Sequence, residues 1–309
     1  MAAAEKLPFT TYSGVLEASH LAEWSIDDLI GGDLRLDFTR PFLPEALAGT
    51  DGLTFLGDDE ALALNHIRAH DYLCLFGLVE EFILPFVLDH VRPRLHGGAD
   101  EVRALLQFAG EEAKHIDLFR RFRSEFEDGF GSWCEVVGPP REIARAVLAH
   151  HPLAVALMVL HIEWMTQRHY LESVRNDSVL DRRFADLLKH HWMEEVQHAR
   201  LDAMIVAGLA AECAQDEIDG AIGEYVEICG LLGDRLSEQA VLVRQSLGRH
   251  TGRALSCNEI EALEARQERA IQWTILGSGM THPNVMTVIQ QLSPAAAQRV
   301  QLAASRYCG

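Results

Sequence analysis

Apolar residues recur along most of the chain at the three- and four-residue intervals of amphipathic helices. The two-residue alternation of strands never persists over five or six positions between turn residues. The pattern therefore predicts an all-α protein. Four long helices are predicted, from Asp58 or Asp59 to about His90, from Asp100 to about Glu127, from Arg141 to about Val174, and from Val179 to about Ala211.

Prolines and turn residues set the predicted boundaries. Pro85 is expected to kink the first long helix, and Pro152 to kink or restart the third. Shorter helices are predicted at about 214–231, 235–248, 257–275 and 293–305, and a further short one near 20–30. We expect three parts of one domain: an N-terminal arm (1–57) packed on the bundle, a four-helix bundle (58–211), and C-terminal helices (212–309).

The composition of the chain argues against several classes of binding partner. The 309 residues carry 27 basic and 46 acidic side chains, which gives a formal net charge of -19. This acidity repels nucleic-acid phosphates and anionic lipids, and no basic stripe offsets it. Neither a signal peptide nor an apolar run of about 18 residues is found, so we expect a cytoplasmic protein with no membrane or nucleic-acid partner. The six scattered cysteines are interpreted as reduced core thiols.

Candidate chemistry lies in two Glu-x-x-His motifs. Glu112 and His115 fall in the second long helix, and Glu195 and His198 in the fourth. Residues three apart share a helix face, so a carboxylate oxygen and an imidazole nitrogen can converge on one ion. A third copy, Glu17 with His20 in the N-terminal arm, has no matching partner helix and is interpreted as chance.

A second regularity links all four long helices. Glu80 precedes Glu112 by 32 residues, and Glu163 precedes Glu195 by the same 32. Both leading glutamates lie in apolar stretches, where an unpaired carboxylate is costly to bury and needs a cation. Two glutamates and two Glu-x-x-His motifs on four helices are typical of a bundle with a carboxylate-bridged two-metal core. Glu81 adjoins Glu80 and stays an alternative ligand.

In these residues the chain resembles the ferritin-like di-iron carboxylate proteins, over about residues 58–210. His191 lies four residues before Glu195 on the same helix face and adds a third nitrogen, with His190 as its competitor. With this extra histidine the chain resembles the p-aminobenzoate N-oxygenase family, whose members use two irons and dioxygen to oxidise aryl amines. Phe119 stands where a ribonucleotide reductase small subunit carries its radical tyrosine, which argues against a radical carrier.

The resemblance implies a ligand set and two supporting carboxylates. Glu111 and Glu194 stand where these families place a carboxylate that accepts a hydrogen bond from the histidine of the opposite helix, Glu111 from His198 and Glu194 from His115. The alternative for both is a solvated or salt-bridged glutamate. The implied metal ligands are Glu80, Glu112, His115, Glu163, His191, Glu195 and His198.

The expected function is that of a non-haem di-iron oxygenase that activates dioxygen to oxidise a small organic substrate, with N-oxygenation of an amine favoured. The expected cofactors are two Fe ions, with Mn or a mixed Mn/Fe pair as alternatives, and dioxygen. A redox partner is expected as the external electron donor, and a homodimer is left open. A di-metal hydrolase and a non-catalytic metal-storage protein are the alternative functions.

Overall fold

Helices make up nearly all regular structure in the computed structural model, which describes residues 11–308. Within that range the one strand-like pairing is an isolated bridge between Gly31 and Leu34. The prediction of an all-α helical bundle with additional helices at both ends is confirmed. The first ten residues, on which the expectation of no signal peptide depends, lie outside the described residues.

The helices are numbered here in chain order. They are α1 (Tyr12–Leu21), α2 (Glu45–Ala48), α3 (Asp58–Val91), α4 (Ala99–Phe130), α5 (Pro140–Leu148), α6 (Pro152–Arg168), α7 (Arg182–Ala211), α8 (Gln215–Thr251), α9 (Cys257–Gln272), α10 (Ser278–Met280), α11 (Pro283–Leu292) and α12 (Pro294–Ala304). π-Helical turns extend α6 through His169–Val174 and join α9 to α10 through Trp273–Gly277. Three 3₁₀ turns lie at Ile26–Asp28, Arg92–Arg94 and Ser305–Tyr307.

The four long helices begin and end close to the predicted positions. α3 runs through Pro85 without ending, whereas Pro152 restarts the chain as the first residue of α6. α4 ends at Phe130 and is followed by Gly131, whose φ of 77° is the left-handed conformation that glycine adopts at helix ends. α7 is capped by Asp181, which accepts a hydrogen bond from the Phe184 amide.

Several of the shorter predicted elements are wrong. One helix, α8, replaces the two predicted at 214–231 and 235–248, and Gly233, which stands between the two predicted ranges, lies inside it. Gly233 packs against Tyr307, where an added Cβ would lie 2.9 Å from the hydroxyl oxygen. α11 was not predicted, and the range near 20–30, where a short helix was expected, holds the 3₁₀ turn Ile26–Asp28, with α1 lying before it.

The bundle consists of α3, α4, α6 and α7. α3 packs on α4, α6 packs on α7, and α4 contacts α7, while α8 covers α3 and α6 from the C-terminal part of the chain. α1 lies on α4 and α7. Large apolar side chains fill the interior and exclude water from it, among them Phe76, Phe108, Phe119, Phe122 and Phe184.

Two further expectations concern membrane crossing and the burial of the cysteines. In the described range none of the helices combines the length and apolar character that crossing a membrane requires. All six cysteines are free. Only Cys134 and Cys229 are buried, and Cys257 and Cys308 are exposed, so the interpretation of all six as core thiols is wrong.

Candidate metal centre

The bundle brings all seven predicted ligands to its interior. Glu80 comes from α3, Glu163 from α6, and the two Glu-x-x-His motifs from α4 and α7, the latter with His191 one turn earlier. Each of the seven side chains is 2% exposed or less. Glu81 and His190, the two competitors, lie elsewhere: Glu81 is exposed, and His190 bonds to the Asp186 carbonyl oxygen.

Six of these side chains form two overlapping groups. Within each group the ligand atoms all lie within 4.8 Å of one another, which is close enough to surround one ion. The two groups share His115 and Glu195, so the ions that they could hold would be neighbours. One group is Glu80, His115, His191 and Glu195, and the other is Glu112, His115, Glu195 and His198.

Contacts inside the cluster are short. His191 Nε2 lies 2.5 Å from Glu195 Oε1 and 3.6 Å from Glu80 Oε1. His198 Nδ1 lies 2.8 Å from Glu112 Oε1 and 2.7 Å from Glu195 Oε2. Carboxylate oxygens and imidazole nitrogens from three helices thus point into the same small volume.

Glu163 belongs to neither group but lies beside both. Burial raises the pKa of its carboxyl group well above the usual range, and the nearby carboxylates of Glu195 and Glu112 raise it further. Its Oε2 atom is buried and has no hydrogen-bond partner. Glu163 is therefore an unpaired buried carboxyl group beside the cluster.

Two carboxylates bind the histidines of the Glu-x-x-His motifs on the side of each ring that faces away from the cluster. His115 Nε2 lies 2.9 Å from Glu194 Oε2, and His198 Nε2 lies 2.8 Å from Glu111 Oε2. An ionised carboxylate only accepts hydrogen bonds, so the proton sits on Nε2 of each ring and Nδ1 faces the cluster. This arrangement fixes the tautomer that a metal ligand needs.

The N-terminal part of the chain supports these carboxylates, which sequence reasoning missed. Ser19 of α1 donates a hydrogen bond to Glu111, and Gln107 donates to the same Oε1 atom. Lys114 pairs with Glu194, and its ammonium group lies 4.1 Å from the centre of the Trp24 ring. The contacts of Ser19 with Glu111 and of Lys114 with Trp24 have no local motif, because each joins segments that are about 90 residues apart in the chain.

Asp202 is a further buried carboxyl group that sequence reasoning missed. It lies on α7, four residues after His198 and therefore on the same helix face, so helical spacing could have indicated it. It is 1% exposed, and neither of its oxygens has a hydrogen-bond partner. Burial raises its pKa well above the usual range, which favours the neutral acid.

Unpartnered atoms show that the donor set fits metal ions. Glu80 Oε2, Glu112 Oε2 and Glu163 Oε2 are buried without a hydrogen-bond partner. His115 Nδ1 lies 3.1 Å from Glu195 Oε1 but makes no hydrogen bond. Buried polar atoms are normally paired, so unpartnered oxygens and nitrogens clustered in one place fit a bound cation. These residues are able to hold two metal ions.

The electrostatics agree with this interpretation. Burial raises the pKa of Glu80 well above its usual range, and the Glu112 carboxylate adds to the rise. Burial opposes a charge on His115, but the carboxylates around it outweigh that effect and raise its pKa to about 10. Without metal, protons therefore supply the positive charge that the cluster requires, and metal ions must displace them.

Comparison with known proteins gives a distant likeness. No family model matches the chain, and no curated protein matches it in sequence. Solved variants of an R2-like ligand-binding oxidase align over most of the length. One with a Mn/Fe cofactor is 14% identical, with 88% of this chain and 94% of that chain covered and a TM-score of 0.45. One with an Fe/Fe cofactor is 12% identical, with 87% and 94% covered and a TM-score of 0.46.

The third Glu-x-x-His copy supplies matched controls for metal binding. Glu195→Ala and His198→Ala remove donors from the cluster, and we expect each variant to retain fewer than the two metal ions per chain of the unmodified protein. Glu17→Ala and His20→Ala change the same residue types on exposed positions of α1 and should retain both ions. Metal analysis of reconstituted, gel-filtered protein measures the difference. Equal metal content in all four variants would contradict the assignment.

Metal affinity should rise with pH. Bound ions require Glu80 ionised and the His115 ring neutral at Nδ1, whereas the metal-free cluster holds protons at both. Each proton released on binding raises the apparent affinity by about tenfold per pH unit. Calorimetric titration with Mn²⁺ in buffers of different ionisation enthalpy counts those protons. Binding that releases no proton and does not change with pH is the opposite result.

Proposed function

We propose that the chain is a non-haem di-metal oxidase that uses dioxygen to oxidise a small organic substrate, with N-oxygenation of an amine as its reaction. The observation that carries the proposal is the buried cluster of four carboxylates and three imidazoles, contributed by four helices. Mixed oxygen and nitrogen donors suit iron and manganese. A bound pair of such ions supplies the redox chemistry that activates dioxygen, and we propose two irons as that pair.

The chain's own residues hold and orient this centre. Glu111 and Glu194 keep the Nε2 protons of His198 and His115, so that each ring presents its Nδ1 lone pair to the cluster. Lys114 balances the charge of Glu194. Ser19 of α1 in turn donates a hydrogen bond to Glu111. Retention of the metal ions therefore depends on correct packing of the N-terminal arm.

Apolar rings keep water away from the cluster. The ring of Phe108 lies 4.2 Å from that of His198, and the ring of Phe119 lies 5.0 Å from that of His191, measured between centroids. A dry pocket protects a reactive oxidant from water and from stray protons. No tyrosine occupies the position of Phe119, which supports oxidation of an external substrate over storage of a radical on the protein.

N-oxygenation is the finer part of the proposal. His191 lies in the first group of ligand atoms, and this third histidine is the feature by which the chain resembles the p-aminobenzoate N-oxygenase family. An external electron donor is part of the proposal, since the metal pair has to be reduced again after each turnover. The small-molecule substrate must reach the cluster from solvent.

Isotope labelling tests the reaction class. Protein reconstituted with Fe²⁺ without oxygen is mixed with a reductant and a panel of aryl amines, then exposed to ¹⁸O₂. We expect oxygen uptake and hydroxylamine or nitro products that carry ¹⁸O, measured with an oxygen electrode and mass spectrometry. Glu112→Ala should abolish both, and Glu17→Ala should leave both unchanged.

Two outcomes would contradict the proposal. Oxygen from labelled water in the products, together with turnover by the zinc-loaded protein, would indicate a hydrolase that uses the same residues. Uptake of many irons per chain without product would indicate storage.

A further inference from the structure

Tyr72 and His169 form a buried phenol–imidazole pair inside the bundle. The Tyr72 hydroxyl oxygen lies 3.2 Å from His169 Nδ1, and both side chains are 2% exposed. Neither residue belongs to the two groups of ligand atoms that the candidate metal centre comprises. The proposed function therefore gives this pair no role.

The hydrogen bonds around His169 fix the position of each proton. Burial lowers the pKa of His169 to about 3, so the ring is neutral. Ser278 donates its hydroxyl proton to the Thr274 carbonyl oxygen, and its own oxygen lies 3.0 Å from His169 Nε2. Nε2 must therefore carry the ring proton, which leaves a lone pair on Nδ1. The Tyr72 hydroxyl group donates to that lone pair, so the phenol proton already points at a base.

A series of packed aromatic rings joins Tyr72 to a ligand of the metal cluster. The Tyr72 ring stacks on the Phe76 ring at 4.2 Å, and the Phe76 ring meets the His191 ring edge to face at 5.7 Å, measured between centroids. Tyr72, Phe76 and Glu80 lie four residues apart on α3, so they share one helix face. Electron transfer falls off steeply with distance, and closely packed rings favour it. Tyr72 is thus two ring contacts away from a metal ligand.

The series of rings continues from His169 toward the surface. The Trp273 ring lies 6.1 Å from the His169 ring, and Trp273 is partly exposed. His169 begins one π-helical turn of the described range, and Trp273 begins another. π-Helical turns are rare and occur frequently at functional sites. Two such turns therefore meet at the residues that join Tyr72 to solvent.

A second tyrosine–histidine pair provides a comparison inside the same chain. The Tyr225 hydroxyl oxygen lies 2.8 Å from His161 Nδ1, and His161 Nε2 lies 3.0 Å from the Ile275 carbonyl oxygen, so the protons are arranged in the same way. Among the aromatic side chains of residues 11–308, the Tyr225 ring packs against His161 alone. The two pairs therefore differ in the series of rings that leads to the metal cluster.

We propose that Tyr72 is a redox-active residue, with His169 as its proton acceptor, that reduces the oxidised metal pair when no substrate is present. Tyr72 gives up one electron, its O–H bond breaks, and the proton passes to His169 Nδ1, which leaves a neutral tyrosyl radical and an imidazolium ion. The oxidant is the metal pair after reaction with dioxygen, so this inference rests on the proposed function. One electron from the external donor, arriving through Trp273, restores the phenol as the proton returns from His169. The radical is transient.

Electron paramagnetic resonance tests the assignment. The iron-loaded full chain, with and without ring-deuterated tyrosine, is exposed to dioxygen without substrate and frozen. We expect an organic radical whose spectrum narrows on deuteration, which identifies a tyrosine. Y72F should lose this signal. H169N can keep a hydrogen bond at the Nδ1 position but cannot accept the proton, so it should form at least about tenfold less radical.

Y225F is the matched control for Y72F. It removes the same hydroxyl group from the comparison pair, so it should keep the radical signal. Circular dichroism and metal content of the three variants show whether the fold and the centre are intact. A tyrosine radical that persists in Y72F, or oxygen uptake by the unmodified chain without any tyrosine radical, would overturn the assignment.

Peptide mass spectrometry tests the protective role of Tyr72. After repeated exposure to dioxygen and a reductant without substrate, Y72F should carry more added oxygen on residues around the cluster, such as Phe108 and Phe119, than the unmodified chain or Y225F. Equal oxidation of the three proteins would overturn this role.

Products and oxygen uptake separate this inference from the proposed function. A radical at Tyr72 without labelled product from any amine of the panel would contradict the proposed function and support the assignment of Tyr72. The absence of oxygen uptake by the iron-loaded protein would contradict both.

Discussion

Burial of four carboxylates at one point is the constraint on which the rest of this structure depends. Ionised groups inside a protein are destabilising unless charge and hydrogen bonds compensate them. Glu80, Glu112, Glu163 and Glu195 gain only part of that compensation from three histidines. Two cations complete it, and so the cluster links folding to metal binding.

The bundle converts this constraint into a defined site. Each of its helices contributes one glutamate to the cluster, and the interval of 32 residues between the glutamates of α3 and α4 is repeated between those of α6 and α7. The histidines cannot rotate freely because Glu111 and Glu194 hold them from behind. Those carboxylates depend in turn on Ser19 and Lys114, so the arm before the bundle helps to orient the centre.

The sequence was most informative where a regular helix fixes the side-chain direction. The spacing of Glu-x-x-His and the repeated interval of 32 residues located the inward glutamates. Residues three or four positions apart on a helix lie on the same face, so their spacing in the sequence predicts their direction in the fold. Burial of Glu80 and exposure of Glu81 favour Glu80 as the ligand, a choice that the sequence left open. Contacts made by chain segments far apart, such as Ser19 with Glu111, have no periodic signal. The continuity of α8 through Gly233 likewise had no local signal, since the glycine lies against Tyr307 from a distant part of the chain.

The most direct test of this account is anomalous X-ray scattering at the iron absorption edge from crystals grown with Fe²⁺ under anaerobic conditions. The account predicts two peaks per chain inside the bundle, each in contact with donors from the two groups that share His115 and Glu195. The absence of peaks at this position, or a single peak bound to only one of the groups, would contradict it.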